Sequence, residues 1–343
     1  MNLEDIAKLS RVSRSTVSRV INDDPNVRES TRQRVQEVIR QMNFQPNLAA
    51  RSLAAGKTKV IGLVIPMGVS TMFTDPYFPM LIKGVSAACN ANDYSVMLWL
   101  AEPEYERRTI NQVLHNGMID GVVVASVLMD DLIVQALVRS NMPFVLIGRH
   151  PTMAQVSYVD VDNRGSSRQL IQHLIGLGYR RIATITGAQN MIAGSDRLLG
   201  YMEGLSQNGI PIEMELIVPG NFSEEGGYAA MQKLLPHRPQ AVFVASDTMA
   251  VGALRAIQQT GLTVPDEIAL AGFDDMPFAE HLSPPLTTVY QPVHETGMRA
   301  AETLFDLLAD PESGPIHVTM PTEIVIRQSS GAGPSSAAGL PNP

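Results

Sequence analysis

Apolar positions recur every three to four residues in three short segments before residue 45, a spacing that predicts three helices, each with one face to bury. Leu3, Ile6 and Ala7 share a face in the first. Val17, Val20 and Ile21 do so in the second, after Val12, and Val35, Val38, Ile39 and Met42 repeat the pattern in the third. Ser13 is placed to cap the second helix, and Ser30 with Gln33 has the spacing of a capping box for the third. The pattern breaks at residues 43–46, and NLAARSLAAGK then offers one more short helical stretch, with Asn47 as cap and Gly56 as stop. From Val60 onward the rhythm changes to apolar runs alternating with amphipathic segments. VIGLVIP, SVMLWL, GVVVAS, FVLIG, RIATITG, AVFVAS and IALAGFD are predicted strands, and most are apolar on both faces, as in a parallel sheet covered by helices. The series restarts near Asp162, which predicts two doubly wound lobes.

The expected fold class is therefore α/β: an N-terminal all-α helix-turn-helix domain at residues 1–45, a hinge helix and linker at 46–59, and a two-lobed doubly wound domain at 60–327. Residues 328–343 are small and proline-rich without apolar periodicity, and are expected to be disordered.

Charge sharpens this division. Residues 1–59 carry 11 Lys/Arg against 6 Asp/Glu, whereas the remainder carries 15 against 28, within a formal net charge of -8. The front is suited to face a polyanion and the rest is not. A helix, a short turn and a second helix starting at Ser13 form the arrangement that lays its second helix in the major groove of DNA. Arg14 and Ser18, like Ser15 and Arg19, stand four apart, so they form a patch opposite Val17, Val20 and Ile21. Arginine can take guanine O6 and N7 with two donors, and the hydroxyls of Ser15, Thr16 and Ser18 can reach phosphates or base edges.

From residue 3 to residue 53 the chain resembles the N-terminal segment of the lac repressor / galactose repressor family of bacterial transcription regulators. The pieces D-I-A, V-S-x-x-T-V-S-R-V-x-N, T-R-x-x-V and P-N-x-x-A-R-x-L stand in the family's order and spacing. The resemblance implies that Arg14 and Ser15 choose operator bases, that Arg19 is a third base-reading position, and that Leu53 enters the minor groove. Asn22 and Ala50, inside the same motifs, join them as DNA contacts. Ser10 and Arg11 depart from the Ala and Gly common in the family, and a non-glycine in that turn carries some strain.

In open α/β sheets ligands bind beyond the carboxyl ends of the strands, and the residues there include TDPYFPM, Arg149, SDRLLGY, Ser246-Asp247 and Asp274-Asp275. Rings, carboxylates, an arginine and hydroxyls suit a polyhydroxylated or planar polar ligand. The family resemblance extends over residues 60–327 to a periplasmic-binding-protein-like effector domain. It implies Arg197 and Asp274 as the main polar effector contacts, Phe222 and Phe78 as rings from the two lobes, and Ser246, Asp75 and Arg149 as further contacts. It also implies a homodimer on palindromic double-stranded operator DNA, with a sugar as effector; a purine is the alternative, since these positions do not separate the two.

Other classes find little support. Neither G-x-x-x-x-G-K-[ST] nor G-x-G-x-x-G after a strand is present, the 7 histidines lack H-E-x-x-H spacing, and Asp274 and Asp275 are chain neighbours poorly placed to share a proton. No enzyme activity, cofactor or metal is expected. The lone Cys89 excludes an internal disulfide, and no run of eighteen apolar residues or leader-like start is seen, so a cytoplasmic location is expected over that of a secreted solute-binding protein. The tail has no leucine repeat, which favours a dimer over a tetramer.

Overall fold

The computed structural model describes residues 2–44, 57–65, 72, 74–100, 117–125, 128–129 and 132–331, and the chain divides into two compact units, Met1–Lys59 and Val60–Pro343. In the first unit the three stripes meet. Helices α1 (Leu3–Ser10), α2 (Arg14–Ile21) and α3 (Glu29–Gln41) close over Ile6, Ala7, Val17, Val20 and Val35. Asn2 caps α1 by accepting from the N–H groups of Glu4 and Asp5, and the Asp5 carboxylate accepts from Asn2 N at 2.9 Å. The helix stops at Arg11, which adopts the left-handed region at φ 53 and closes the last turn on the carbonyls of Ala7 and Lys8. A side chain there costs about 1 kcal/mol relative to glycine, which is the strain expected of that turn.

Ser13 caps α2, its Oγ accepting from Thr16 N at 3.2 Å. The capping box expected for α3 does not form. The helix starts two residues earlier, at Glu29, with Arg28 at its cap and no side-chain cap bond, and Gln33 donates to Glu29 Oε1 at 3.1 Å. Arg32 fixes the entry to this helix, donating to Asp23 Oδ1 at 2.6 Å and to the Asp24 carbonyl at 2.7 Å.

The second unit has two lobes. In lobe 1, strands β1 (Val60–Ile65), β2 (Ser95–Leu100), β3 (Gly121–Ala125), β4 (Phe144–Ile147), β5 (Tyr158–Val161) and β11 (His317–Met320) form a parallel sheet in the order β11-β5-β4-β3-β1-β2. Alternation along each strand divides the core. Ile61, Leu63, Ile65, Val123 and Val145 point to helices α4 (Tyr77–Ala91) and α10 (Val293–Ala309), while Val64, Val122, Val124 and Leu146 meet α5 (Leu132–Ser140). Cys89 is buried in the first of these faces, where burial pushes its thiol up to about 11.

Lobe 2 repeats the plan. Strands β6 (Ile182–Thr186), β7 (Ile217–Pro219), β8 (Ala241–Val244) and β9 (Ala269–Ala271) form a parallel sheet in the order β7-β6-β8-β9. One face packs on α6 (Asn163–Gly176) and α7 (Ile192–Gln207), the other on α8 (Glu224–Leu234) and α9 (Asp247–Gln259). A short antiparallel pair, β10 (Thr288–Tyr290) with β12 (Glu323–Val325), completes the lobe.

Every strand expected from the apolar runs is present, but the lobes are not two consecutive halves. The chain crosses at residues 161–163, returns to lobe 1 at 290–293 to lay down α10 and β11, and crosses again at 320–323. Residues 328–331, expected to be disordered, are instead ordered. Gln328–Ser330 form a 3-10 turn with Ser329 and Ser330 buried; Ser329 Oγ donates to the Leu270 carbonyl at 2.6 Å and accepts from Thr287 N at 2.8 Å. Small hydroxylated residues satisfy backbone groups at the sheet edge without any apolar signature. Residues 332–343 lie outside the described part.

The pairing of α4 with α10 depends on two glycines. A Cβ on Gly84 would stand 1.9 Å from the His294 carbonyl oxygen, and one on Gly297 would stand 2.4 Å from that of Leu81. Gly84→Ala is therefore expected to lower the unfolding free energy by about 1–3 kcal/mol, read as a lower urea midpoint. Gly314→Ala, where an added Cβ meets nothing within 4 Å, is expected to leave it unchanged.

Candidate functional site

In the first unit, Val17 and Val20 bury one side of α2 and leave the other to solvent. The side chains of Arg14 and Arg19 are 68% and 64% exposed. Ser15 and Asn22 are exposed on the same helix and its end, and Thr16 and Ser18 are half-buried. Ser13 Oγ lies 2.8 Å from both Ser15 Oγ and Thr16 Oγ1, so these hydroxyls form one cluster at the start of the helix. The carboxylates nearest the two arginines are distant, at 4.0 Å from Arg14 to Glu4 and 3.8 Å from Arg19 to Asp24. Exposed pairs of this kind are worth well under about 1 kcal/mol, so both guanidinium groups can be given up to a new anion. Ala50 and Leu53 lie outside the described residues.

In the second unit the carboxyl ends of both parallel sheets face one cleft, with a cavity volume of ≈ 160 Å³. Of the expected effector contacts, Asp75, Phe78, Arg197, Phe222, Ser246 and Asp274 line it together. Arg149 does not. It stands at the end of β4, where its Nη2 is held at 2.6 Å by Asp196 of α7, an ion pair between the lobes.

Arg197 organises the lobe 2 side. Its side chain is 5% exposed; Nε donates to Asn163 Oδ1 at 2.9 Å, and Nη1 to the Ala245 carbonyl at 2.6 Å and to Asp274 Oδ1 at 3.0 Å. The guanidinium lies over the Phe273 ring at 3.6 Å, with Phe222 at 5.9 Å. Asp274 also accepts from Gln291 Nε2 at 2.5 Å. Phe222 follows Asn221, and the two have φ values of 57 and 55, a sharp bend that turns the ring back over Gly187. A Cβ on Gly187 would stand 2.0 Å from that ring, so the glycine makes its seat. Ser246 spends its hydroxyl as the cap of α9, accepting from Met249 N at 3.2 Å.

The lining also includes polar residues outside the strand-end positions marked in the sequence, among them Asp160, Asn163, Gln291 and Thr296. Three of them sit at or beside the crossings, and Thr296 is in the first turn of α10. Asp160 accepts from Val161 N at 2.8 Å, Arg149 N at 3.1 Å and Asn163 Nδ2 at 3.1 Å. A hydrogen-bonded chain thus runs Asp160–Asn163–Arg197–Asp274–Gln291 from the first crossing to the second. The signal for Asp160 was its place in SYVDVDN, just before the point where the strand series restarts. On the lobe 1 side Asp75 holds the start of α4 by accepting from Tyr77 N at 3.0 Å, and reaches Thr248 of α9 at 3.3 Å.

Burial raises the carboxyls of this cleft. Asp160 is pushed up to about 6, against the ordinary 3.8, by burial that its backbone donors only partly offset. Asp274 is likewise pushed up to about 6 by burial, with Arg197 pulling the other way, and Asp75 is raised by the same cause. Among the described residues no group of three or more His, Cys, Asp and Glu side chains is arranged to hold a metal ion, and no described helix is long and apolar enough to cross a membrane.

Comparison with known proteins matches both units. Residues 2–47 fit the family described as bacterial regulatory proteins, lacI family, and residues 171–330 a periplasmic binding protein-like domain. The HTH-type transcriptional regulator CelR of Thermobifida fusca is 38% identical over 95% of this chain and 97% of its own length. The ribose operon repressor of Escherichia coli (strain K12) is 34% identical over 90% and 93%. Among solved structures, a CelR–cellobiose complex superimposes with a TM-score of 0.76 at 35% identity, covering 96% of this chain and 99% of that one. The lac repressor dimer bound to operator and the anti-inducer ONPF does so with a TM-score of 0.86 at 25% identity, over the same 96% and 99%.

A carboxyl raised in the folded state binds its proton more tightly there than in the unfolded chain. The stability that Asp160 lends is fully present below about pH 4 and lost as pH rises through about 6. Asp160→Asn has no such proton to lose, so its thermal midpoint is expected to rise relative to the parent's as pH is raised from about 4 to about 7. Parallel midpoints across a pH series check this.

Proposed function

Since the chain belongs to the lacI family of bacterial regulatory proteins, and its relatives are transcriptional regulators and not enzymes, we propose that it is a repressor that binds palindromic operator DNA as a homodimer under the control of a sugar. One observation carries the DNA half. Arg14, Ser15, Arg19 and Asn22 stand exposed on or at the end of a helix whose other side is locked into a core, with no strong internal partner for either arginine. Thr16 and Ser18 supply hydroxyls beside them. Arg14 and Ser15 read bases, Arg19 reads a third position, Ala50 of the 46–59 segment contacts DNA, and Leu53 enters the minor groove, where a Leu53 pair wedges a central step. Two-fold symmetry sets the half-site spacing.

The effector half rests on the cleft. Arg197 and Asp274 form a fixed donor–acceptor pair beside the Phe222 and Phe78 rings, which suits hydroxyl edges and the apolar face of a sugar ring. Asp75 and Ser246 complete the wall, and Arg149 acts from outside it through its bond to Asp196. The CelR relative was solved with cellobiose and another relative regulates ribose genes, which supports a sugar over a purine. Sugar and operator are then linked through the angle between lobes, by about 1–3 kcal/mol.

Titration of a palindromic duplex at several salt concentrations is expected to give a steep fall of affinity with salt, and Leu53→Ala to weaken operator binding far more than sugar binding. A salt-independent affinity, or equal losses for Leu53→Ala, would remove the DNA half. Thermal shift with cellobiose, glucose and ribose is expected to stabilise the chain, and Gly187→Ala to reduce that shift by unseating Phe222. Stabilisation by hypoxanthine or guanine alone would overturn the sugar.

A further inference from the structure

Five side-chain polar atoms among the described residues are buried without a hydrogen-bond partner: Ser167 Oγ, His173 Nε2, Thr184 Oγ1, Thr296 Oγ1 and Thr303 Oγ1. Of these residues only Thr296 lines the cleft. It is 4% exposed. A hydroxyl in this position is destabilising until something in the cavity meets it.

The backbone beneath it is rigid. Thr296 N donates to the Pro292 carbonyl at 2.8 Å in the first turn of α10. The same turn is pressed on α4 through Gly84 and Gly297, where no Cβ fits. Thr296 therefore has its χ1 rotation and little else with which to find a partner. The chain partners that could have satisfied it, a carbonyl four residues earlier above all, are not used.

The chemistry around it limits what the partner can be. Lobe 2 offers one cation, Arg197, already engaged by Asp274, Asn163 and the Ala245 carbonyl. Against it the cleft sets three carboxyl groups, Asp75, Asp160 and Asp274. Among the described residues an anionic ligand would meet these without a free counter-charge. A neutral ligand bearing hydroxyls would meet acceptors at Asp75 and Asp160, the Arg197–Asp274 pair from lobe 2, and a group able both to donate and to accept at Thr296 from lobe 1.

We propose that Thr296 is a specificity-determining residue of the cleft, its hydroxyl bonding a hydroxyl of a neutral sugar from the lobe opposite Arg197 and Asp274. This rests on the sugar reading above. Because the contact comes from lobe 1 and the main pair from lobe 2, the sugar spans both lobes, and a ligand lacking that hydroxyl leaves a buried polar group unpaired and is rejected.

The test is calorimetric titration of cellobiose, glucose, ribose and glucuronate into the full chain and into Thr296→Val and Thr296→Ser, with the ligand-free thermal midpoint of each. Thr296→Val is expected to weaken the neutral sugar that binds the parent about five- to tenfold. Thr296→Ser is expected to restore binding to within about threefold, and the ligand-free midpoint of Thr296→Val to equal or exceed the parent's, since an unpaired hydroxyl has been removed. Glucuronate is expected to bind more weakly than glucose. Unchanged sugar affinity in Thr296→Val overturns the proposal, as does a markedly lower ligand-free midpoint, which would mean that the hydroxyl has a partner within the protein. Preferred binding of glucuronate overturns the neutral class. If no sugar binds the parent at all, the sugar reading itself fails and takes this inference with it.

Discussion

A guanidinium taken out of water must find a partner for its charge and its N–H groups, and in the cleft of this protein that demand falls on Arg197. Moving such an ion from water into a protein interior costs several kcal/mol even after relaxation. It is met here by Asp274, by Asn163, by the Ala245 carbonyl and by the face of Phe273. Two residues of this network are not free to be placed anywhere. Asn163 stands where the chain first leaves lobe 1, and Gln291, bonded to Asp274, stands where it returns. The neutralisation of one side chain therefore ties together two of the three passages of chain between the lobes.

The contrast with the first unit is one of magnitude. Arg14 and Arg19 have carboxylates no nearer than 3.8 Å and remain exposed. Their pairing is weak enough to exchange for phosphates or bases. Arg197 and Asp274 are nearly sealed from solvent, and their pairing is part of the architecture. The same residue types thus serve opposite ends: weak pairs where a large polyanion is to be gripped and released, strong ones where a small molecule is to be oriented.

Much of this was legible before any coordinates. The strands of both sheets were visible because parallel strands covered on both faces are continuous apolar runs, and the head was visible because each short helix needs a stripe. Asp75, Phe78, Arg197, Phe222, Ser246 and Asp274 came from looking past strand ends and from the family's motifs, and they meet in the cleft. What failed to show has physical causes. Strands β10 and β12 are three residues each, too short for a period to register. Helix α10 announces an apolar face, but periodicity does not say against which sheet that face will lie. Arg149 follows a strand as expected and is then drawn aside by Asp196, whose position on α7 depends on tertiary folding. Asp160 and Thr296 owe their place in the cleft to the crossings and to a helix pair held close by glycines.

The threefold passage of the chain between lobes governs the order in which the protein can be made. A ribosome delivers β1 to β5 first, yet the edge strand that covers β5, and the helix that seals one face of that sheet through Val293, Ala300, Ala301 and Leu304, emerge only after all of β6 to β10. Lobe 2 in turn lacks its closing strand until the final crossing. Neither lobe is a contiguous stretch of translation product, and a nascent chain carries an unfinished apolar surface for most of its synthesis. Both lobes reach completion together, once β11 and β12 have emerged.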